Sequence, residues 1–328
     1  MFEQYCHFPK ISQSVFLIAL GVFCLAACQD SSPVTLAPQK VDAPQERQAQ
    51  KNPRPKVLRF GLTPYLPKEQ MRKQFQPLAE YLSKALNIRV KLVFSKSYSS
   101  LAQLIKQKKI ELAVLSPFAY VEAKKMHEDL LPLVTHIADG SSTYVGYIVT
   151  RIGSGFDHVG QLKDKKFAFV DQQSASGFLY PQAYLVREGL VANEHFKKIR
   201  FAGNHAKVLD WVHKGYVDAG ATYSTALKLA SGDVEAGSGF KVIAKTGRIP
   251  YDAYCVSGAV APELALEIKE IFKGLSTRNE IGRQVLGGAI SINGFVEVDD
   301  AHYDEVRDVA RLIQMDLAKT VDSGKQKP

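Results

Sequence analysis

The 328-residue sequence predicts an α/β protein of two lobes, joined by two hinge crossings around a ligand cleft. Three observations predict it. From Val57 onward, short apolar runs alternate with amphipathic segments at helical spacing, the pattern of strands interleaved with helices. A second run of the same kind begins near Gly146, and after Lys245 the chain turns mostly helical, as it would on returning to the first unit. The length is enough for two sizeable cores.

In order, "VLRFGLTP" reads as a strand ending in a turn, and "MRKQFQPLAEYLSKAL" as a helix with Phe75, Leu78, Leu82 and Leu86 on one face. "RVKLVFS" is a strand, "YSSLAQLIKQKK" a helix with serine near its start, and "IELAVLSP" a third strand. That alternation implies a parallel, doubly wound sheet with its sites at the carboxyl ends of the strands. In the second unit "YVGYIVT" is a strand, "HVGQLKDKK" a connector, and "FAFV" a strand running into a serine-rich turn. "PQAYLVREGL" is a helix, "KIRFAG" a strand, "AKVLDWVHKGY" a helix and "VDAGATY" a strand. "KVIAKTG" leads to "IPYDAYCVS", and "LALEIKEIFKGL" and "YDEVRDVARLIQMDLAKTV" are helical. Crossings near Gly146 and Lys245 make 57–145 with 246–328 the first lobe and 146–245 the second. Such a design closes over a ligand.

Ahead of the folded part, "VFLIALGVFCLAAC" holds roughly 13 apolar residues ending at Cys28, too short to span a bilayer and right for a signal-peptide core. "LAAC" resembles the bacterial lipobox, so residues 1–27 are expected to be a lipoprotein signal peptide and Cys28 the lipidated residue. Residues 28–56, rich in Pro, Gln and charge and without aromatics, cannot bury enough apolar surface to fold and read as a disordered tether. The expected location is the periplasmic side of a bacterial membrane, or the extracellular face in a Gram-positive cell. Of the four cysteines, Cys6 and Cys24 fall in the signal peptide, which leaves Cys255 alone, with no intrachain disulfide and no cysteine metal cluster.

The net charge is +9, but Lys and Arg are spread along the chain among Asp and Glu. With no basic helix and no zinc-finger spacing, nucleic acid is not the expected partner. A basic surface suits an anionic membrane or a small anion.

The stretch "DQQSASGFLYP" (171–181) puts small hydroxyl residues where a helix begins, directly after an apolar strand. Free first-turn amides and the positive end of the helix dipole attract oxyanions there, although Ser174 or Ser176 could equally be a simple N-cap.

The chain resembles the phosphate/phosphite/phosphonate substrate-binding proteins of ABC importers, the PhnD-like family with a type II periplasmic-binding fold. The resemblance runs from about Leu58 to about Leu275, through "FGLTP", "SYSSLAQLIKQKKIELAVLSPFAYVEA", "YVGYIVTR", "LKDKKFAFVDQQSASGFLYP", "FAGNHAKVLDWVHKGYVDAG" and "IPYDA". It implies that the serine turn holds the oxyanion, Ser174 and Ser176 with hydroxyls and Ala175 and Gly177 with backbone N–H groups. Alanine stands where the family commonly has threonine, which removes one hydroxyl donor. It also implies ligand contacts from Tyr98, Tyr144 and His205, with nearby negative charge favouring the protonated imidazole. Asp252 would accept from a protonated oxyanion or a ligand amine. Thr225 takes the place of the glutamate that neutralises the amine in aminophosphonate-binding members, and Tyr223 beside it could wall the pocket. Both point to a compact ligand such as phosphite, methylphosphonate or phosphate.

The resemblance therefore implies a monomeric, lipid-anchored binding protein that delivers its anion to an ABC permease and ATPase, without cofactor or metal. Two alternatives stay open: a sensor of the same fold acting on a membrane receptor kinase, and a binder of an unrelated small ligand. An enzyme is disfavoured, since no G-x-S-x-G elbow, H-E-x-x-H or Walker loop occurs.

Overall fold

The computed structural model describes residues 54–231, 239–286 and 292–324. The expectations for a signal peptide at 1–27, lipidated Cys28 and a tether over 28–56 lie outside these residues, apart from 54–56. Residues 51–328 form one compact unit.

The first strands and helices follow their apolar periodicity: β1 (Val57–Leu62), α1 (Lys68–Leu86), β2 (Arg89–Phe94), α2 (Tyr98–Lys106) and β3 (Leu112–Leu115). α1 buries Phe75, Leu78, Leu82 and Leu86 as their spacing requires, together with Met71, Gln74 and Ala79. The serine near the start of α2 is a capping box: Ser97 Oγ accepts from the Ser100 N–H, and Ser100 Oγ from the Ser97 N–H. α3 (Pro117–Met126) and β4 (Leu131–Ala138) follow.

The second set is β5 (Thr143–Arg151), β6 (Lys166–Phe169), α4 (Tyr180–Arg187), α5 (Ala192–His195), β7 (Lys198–Phe201), α6 (His205–His213), β8 (Ala219–Tyr223), α7 (Ser224–Ser231) and β9 (Phe240–Pro250). The chain ends through β10 (Ala253–Val256), α8 (Pro262–Gly274), α9 (Glu280–Leu286), β11 (Ile292–Glu297) and α10 (Asp304–Gly324).

Two sheets result, ordered β11-β4-β10-β3-β1-β2 and β7-β6-β8-β5-β9. β1, β2 and β3 are parallel, as are β6, β7 and β8. Neither sheet is wholly parallel, because β10 returns from the second sheet into the slot between β3 and β4 and runs antiparallel to both. β5 likewise lies antiparallel to β8 and β9. The chain changes sheet between Ala138 and Thr143, and again between Pro250 and Ala253. Gly146 and Lys245 sit inside the paired β5–β9 ribbon, where the register shifts between Val145 and Tyr147. There the Gly146 N–H donates to Thr246 Oγ1 at 2.9 Å, and a Cβ on Gly146 would stand 2.8 Å from that same oxygen.

Two elements depart from the sequence reading. β11 falls in a stretch read as mostly helical; its "INGFVE" run is short, and pairing with β4 makes it a strand. β4 carries Pro132 and His136 within "LPLVTHIA", which blurs its apolar signal, and β10 and β11 hold it from both sides.

One core of the first lobe packs Phe60, Phe75, Leu82, Tyr254, Phe272 and Phe295. Another apolar cluster joins Tyr303, just before α10, and Val306, Ala310 and Ile313 of α10 to Leu179, Tyr180 and Ala183, and α10 packs on both α3 and α4. Cys255 is buried, its thiol pushed up by burial and set 3.6 Å from the Ala113 carbonyl oxygen, as suits a small hydrophobe.

Candidate functional site

The serine turn is built by close packing. After β6 the chain doubles back: the Gln173 N–H donates to Asp171 Oδ1 at 2.9 Å, and the Ser174 N–H to the Asp171 carbonyl at 2.9 Å. Ser174 then caps the next helix, its Oγ accepting the Gly177 N–H at 3.0 Å. That helix opens as a single π turn, Ala175–Leu179, closed by Leu179 N–H donating to the Ser174 carbonyl at 3.0 Å, and continues as α4. Such wide turns recur at functional sites. Only glycine fits at 177, where a Cβ would lie 2.4 Å from the Val170 Cβ. The amides of Ala175 and Ser176 stand in the first turn, where no intrahelical acceptor exists.

Ser174 and Ser176 face a cavity between the two sheets, walled from the first lobe by Tyr65, Gln74, Tyr98, Ser116 and His136, and from the second by His205, Tyr223 and Thr225. Tyr144, Tyr251 and Asp252, at the two places where the chain changes sheet, line it too, with Ala138, Tyr254 and Ile292. Most of these residues follow the carboxyl end of a parallel strand, as the strand–helix alternation leads one to expect. The cavity volume is about 50 Å³. At ~10–15 Å³ for one water, that is room for a small tetrahedral ion and little more.

The lobes meet directly around it. Ser116 Oγ donates to the Gln173 carbonyl at 3.1 Å and the His205 N–H to the Tyr65 carbonyl at 3.2 Å. The ring of Tyr144 stacks on Tyr251 at 4.8 Å and meets the Tyr223 ring edge-on at 5.5 Å. His136 lies 4.2 Å from Tyr251, and His205 lies 4.7 Å from Tyr223 with its Nδ1 3.2 Å from Thr222 Oγ1.

Among the described residues, no Lys or Arg lines the cavity. Burial pushes the Asp252 carboxyl up to about 7. Burial also pulls His136 and His205 down to about 3, so both imidazoles are neutral near pH 7, and the protonated form expected of His205 is opposed by desolvation. The Tyr98, Tyr144 and Tyr223 hydroxyls are held well above their ordinary range, chiefly by burial, and remain donors. Tyr98 Oη lies near Ser174 yet is buried without a hydrogen-bond partner. The wall thus offers neutral donors and one carboxyl that is half-protonated near neutrality.

Of the residues singled out from sequence, Tyr98, Tyr144, Ser174, Ser176, His205, Tyr223, Thr225 and Asp252 all line this one cavity. Ala175 and Gly177 do not appear in its wall, and the Gly177 amide already has Ser174 as its acceptor. Sequence reasoning missed Tyr65, Gln74, Ser116, His136, Tyr251 and Tyr254. Tyr251 adjoins Asp252, and Gln74 is the one polar residue on the buried face of α1, so both left a trace. His136 left none, since its strand was not recognised.

The family of periplasmic substrate-binding proteins of phosphonate ABC transporters matches residues 60–303. The chain is 29% identical over 286 residues to the phosphate-import protein PhnD of Mycolicibacterium smegmatis, covering 81% of this chain and 88% of that one. It is 27% identical over 202 residues to the phosphonates-binding periplasmic protein of Escherichia coli, covering 60% of each. In fold it is similar to PhnD1 of Prochlorococcus marinus, solved in complex with methylphosphonate, with a TM-score of 0.72 at 20% identity over 79% of this chain and 98% of that one. A binding protein of a phosphonate transporter from Pseudomonas aeruginosa gives a TM-score of 0.73 at 20% identity, covering 79% and 86% of the two chains. The chain belongs to the periplasmic substrate-binding proteins of phosphonate ABC transporters, a family of binding components rather than enzymes.

Proposed function

We propose that the cavity captures a compact phosphorus oxyanion (phosphite, a small phosphonate or phosphate) that carries one proton, for delivery to the permease and ATPase of the importer. The observation that carries this reading is an interlobe cavity of neutral donors with no Lys or Arg among its described lining residues and one carboxyl at about 7. An anion without a proton would meet the Asp252 carboxylate with no compensating cation. An anion bearing P–OH can donate to it, while Tyr98, Ser174, Ser176 and His205 donate to the remaining oxygens. Hydrogen bonds to charged oxygens are roughly twice as strong as neutral ones. Tyr144 and Tyr223 wall the ligand's substituent. Thr225 supplies no charge for an ammonium group, and the small volume supports a compact ligand. The names of the relatives (phosphate import, phosphonate binding and, for a third, probable phosphite binding) span this class.

The two lobes close about the crossings at 138–143 and 250–253, since only the closed form makes both sets of contacts. Cys28 anchors a monomer to the membrane by lipid, and the tether that follows it holds the body off the surface. A Cys28→Ser variant should leave the membrane fraction.

The test is thermal denaturation of the purified protein with phosphite, methylphosphonate, phosphate, 2-aminoethylphosphonate and sulfate. A ligand at a hundred times its Kd adds about 2.7 kcal/mol and raises Tm by at least a few degrees. Sulfate should give no shift. A shift with sulfate equal to that with phosphite would sink the proton-bearing requirement, and no shift with any of the phosphorus oxyanions would sink the reading as a whole.

A further inference from the structure

The β5–β9 ribbon carries one residue more on β9 than its partner strand can match. Val145 pairs with Arg248 and Tyr147 with Lys245, so Thr246 and Gly247 together stand opposite the single residue Gly146. This two-against-one arrangement is a β-bulge, a device that re-aims the side chains beyond it and recurs beside binding sites. The burial of β9 records its effect. Ala244 and Thr246 are buried two residues apart, as strand alternation requires, but Arg248 is exposed and the next buried residue is Ile249. Beyond the bulge, each residue has changed face.

That change of face brings two cavity residues together. Tyr144 pairs with Ile249, and the Tyr251 N–H donates to the Ser142 carbonyl at 3.1 Å, which carries the register one step further. Tyr144 and Tyr251 are thus diagonal neighbours on one face, and their rings stack at 4.8 Å. Counted without the extra residue, Arg248 would stand opposite Tyr144, and Tyr251 opposite Ser141 on the other face of the ribbon. The stacked wall of the cavity therefore needs the bulge.

One side chain ties it. Thr246 Oγ1 accepts the Gly146 N–H at 2.9 Å and donates to the Gly247 carbonyl at 3.0 Å, so a single buried hydroxyl joins the one residue to the two that face it. Gly146 in turn lies against the serine turn, where a Cβ would stand 3.4 Å from the Ser176 carbonyl oxygen, and on its other edge it pairs with Tyr223. We propose that Thr246, which does not line the cavity, is a positioning residue for the ligand: its hydroxyl holds the bulge that sets Tyr251 against Tyr144 and keeps the ribbon seated under Ser176. The inference rests on the oxyanion reading of the cavity and extends it to the device that orients the cavity wall.

The test is calorimetric titration of the purified protein with phosphite, methylphosphonate and phosphate. Thr246→Val removes both bonds at nearly constant volume and should weaken binding about tenfold. Thr246→Ser keeps the hydroxyl and should stay within about twofold of the wild type. In a Tyr251→Leu background, where the ring to be aimed is gone, the loss caused by Thr246→Val should shrink to about twofold. The same loss in both backgrounds would mark a general structural contribution and overturn the positioning role, as would wild-type affinity in Thr246→Val. Thr246→Ala, which loses the same hydroxyl from a smaller side chain, gives the same reading where the valine variant does not fold. Failure of all three anions to bind the wild type would overturn the oxyanion reading, and the positioning role with it.

Discussion

The backbone N–H of His205, at the start of α6 in the second lobe, donates to the carbonyl oxygen of Tyr65, after β1 in the first, at 3.2 Å. The bond spans the cleft beside the serine turn. With Ser116 Oγ donating to the Gln173 carbonyl, it defines a closed form in which the lobes touch directly. Closure is therefore supported by groups on both sides of the ligand as well as by the ligand.

A first prediction concerns that closure. Ser116→Ala removes the donor to the Gln173 carbonyl, a bond worth about 1 kcal/mol net. Affinity for the oxyanion should fall about fivefold, with most of the change in the dissociation rate measured by stopped flow. An unchanged dissociation rate would show that this contact forms no part of the holding state.

Asp252 sets the pH dependence of binding. The complex holds one proton between the carboxyl, pushed up to about 7, and the anion. Above the pKa values of both, the free partners carry no such proton, so binding must take one up and affinity falls about tenfold per pH unit. Titrations between pH 6 and 9 should show this fall in the wild type and a flatter profile in Asp252→Asn.

The same residue destabilises the empty protein. Its folded-state value of about 7 exceeds the ordinary 3.8, so the folded form binds the proton more tightly. The favourable contribution is complete below 3.8 and is lost as pH rises through about 7. Asp252→Asn should therefore raise the Tm of the ligand-free protein at pH 8, by an amount equivalent to at most about 4 kcal/mol, and leave it nearly unchanged at pH 4. A variant less stable than wild type at pH 8 would contradict the assignment.

Gly177 is fixed by packing. A methyl group there would stand 2.4 Å from the Val170 Cβ, and the serine turn would have to shift. Gly177→Ala should cost about 1–3 kcal/mol of stability and weaken oxyanion binding, both measurable by denaturation and titration.

Much of the site was legible because local rules set it. The strand "FAFV" followed by small hydroxyl residues marks a strand-to-helix turn whatever surrounds it, and Ser174 does cap that helix while also facing the cavity. Tyr98, His205 and Asp252 were legible only through resemblance, because a tyrosine, a histidine or an aspartate has no spacing that distinguishes a ligand from a packing residue. Gln74 and His136 escaped notice because burial of a polar atom is a property of neighbours distant in the chain.

By itself the sequence determined the alternation of strands and helices, the two-lobed plan and the chemistry of the serine turn, since periodicity, caps and turn residues act over a few positions. The tertiary structure alone decided that β10 inserts antiparallel between β3 and β4, that β11 is a strand, and that the lobes meet through His205 and Tyr65. It also decided the electrostatics of the cavity. A carboxyl at about 7 and two neutral histidines come from desolvation, which depends on what the fold packs around each group.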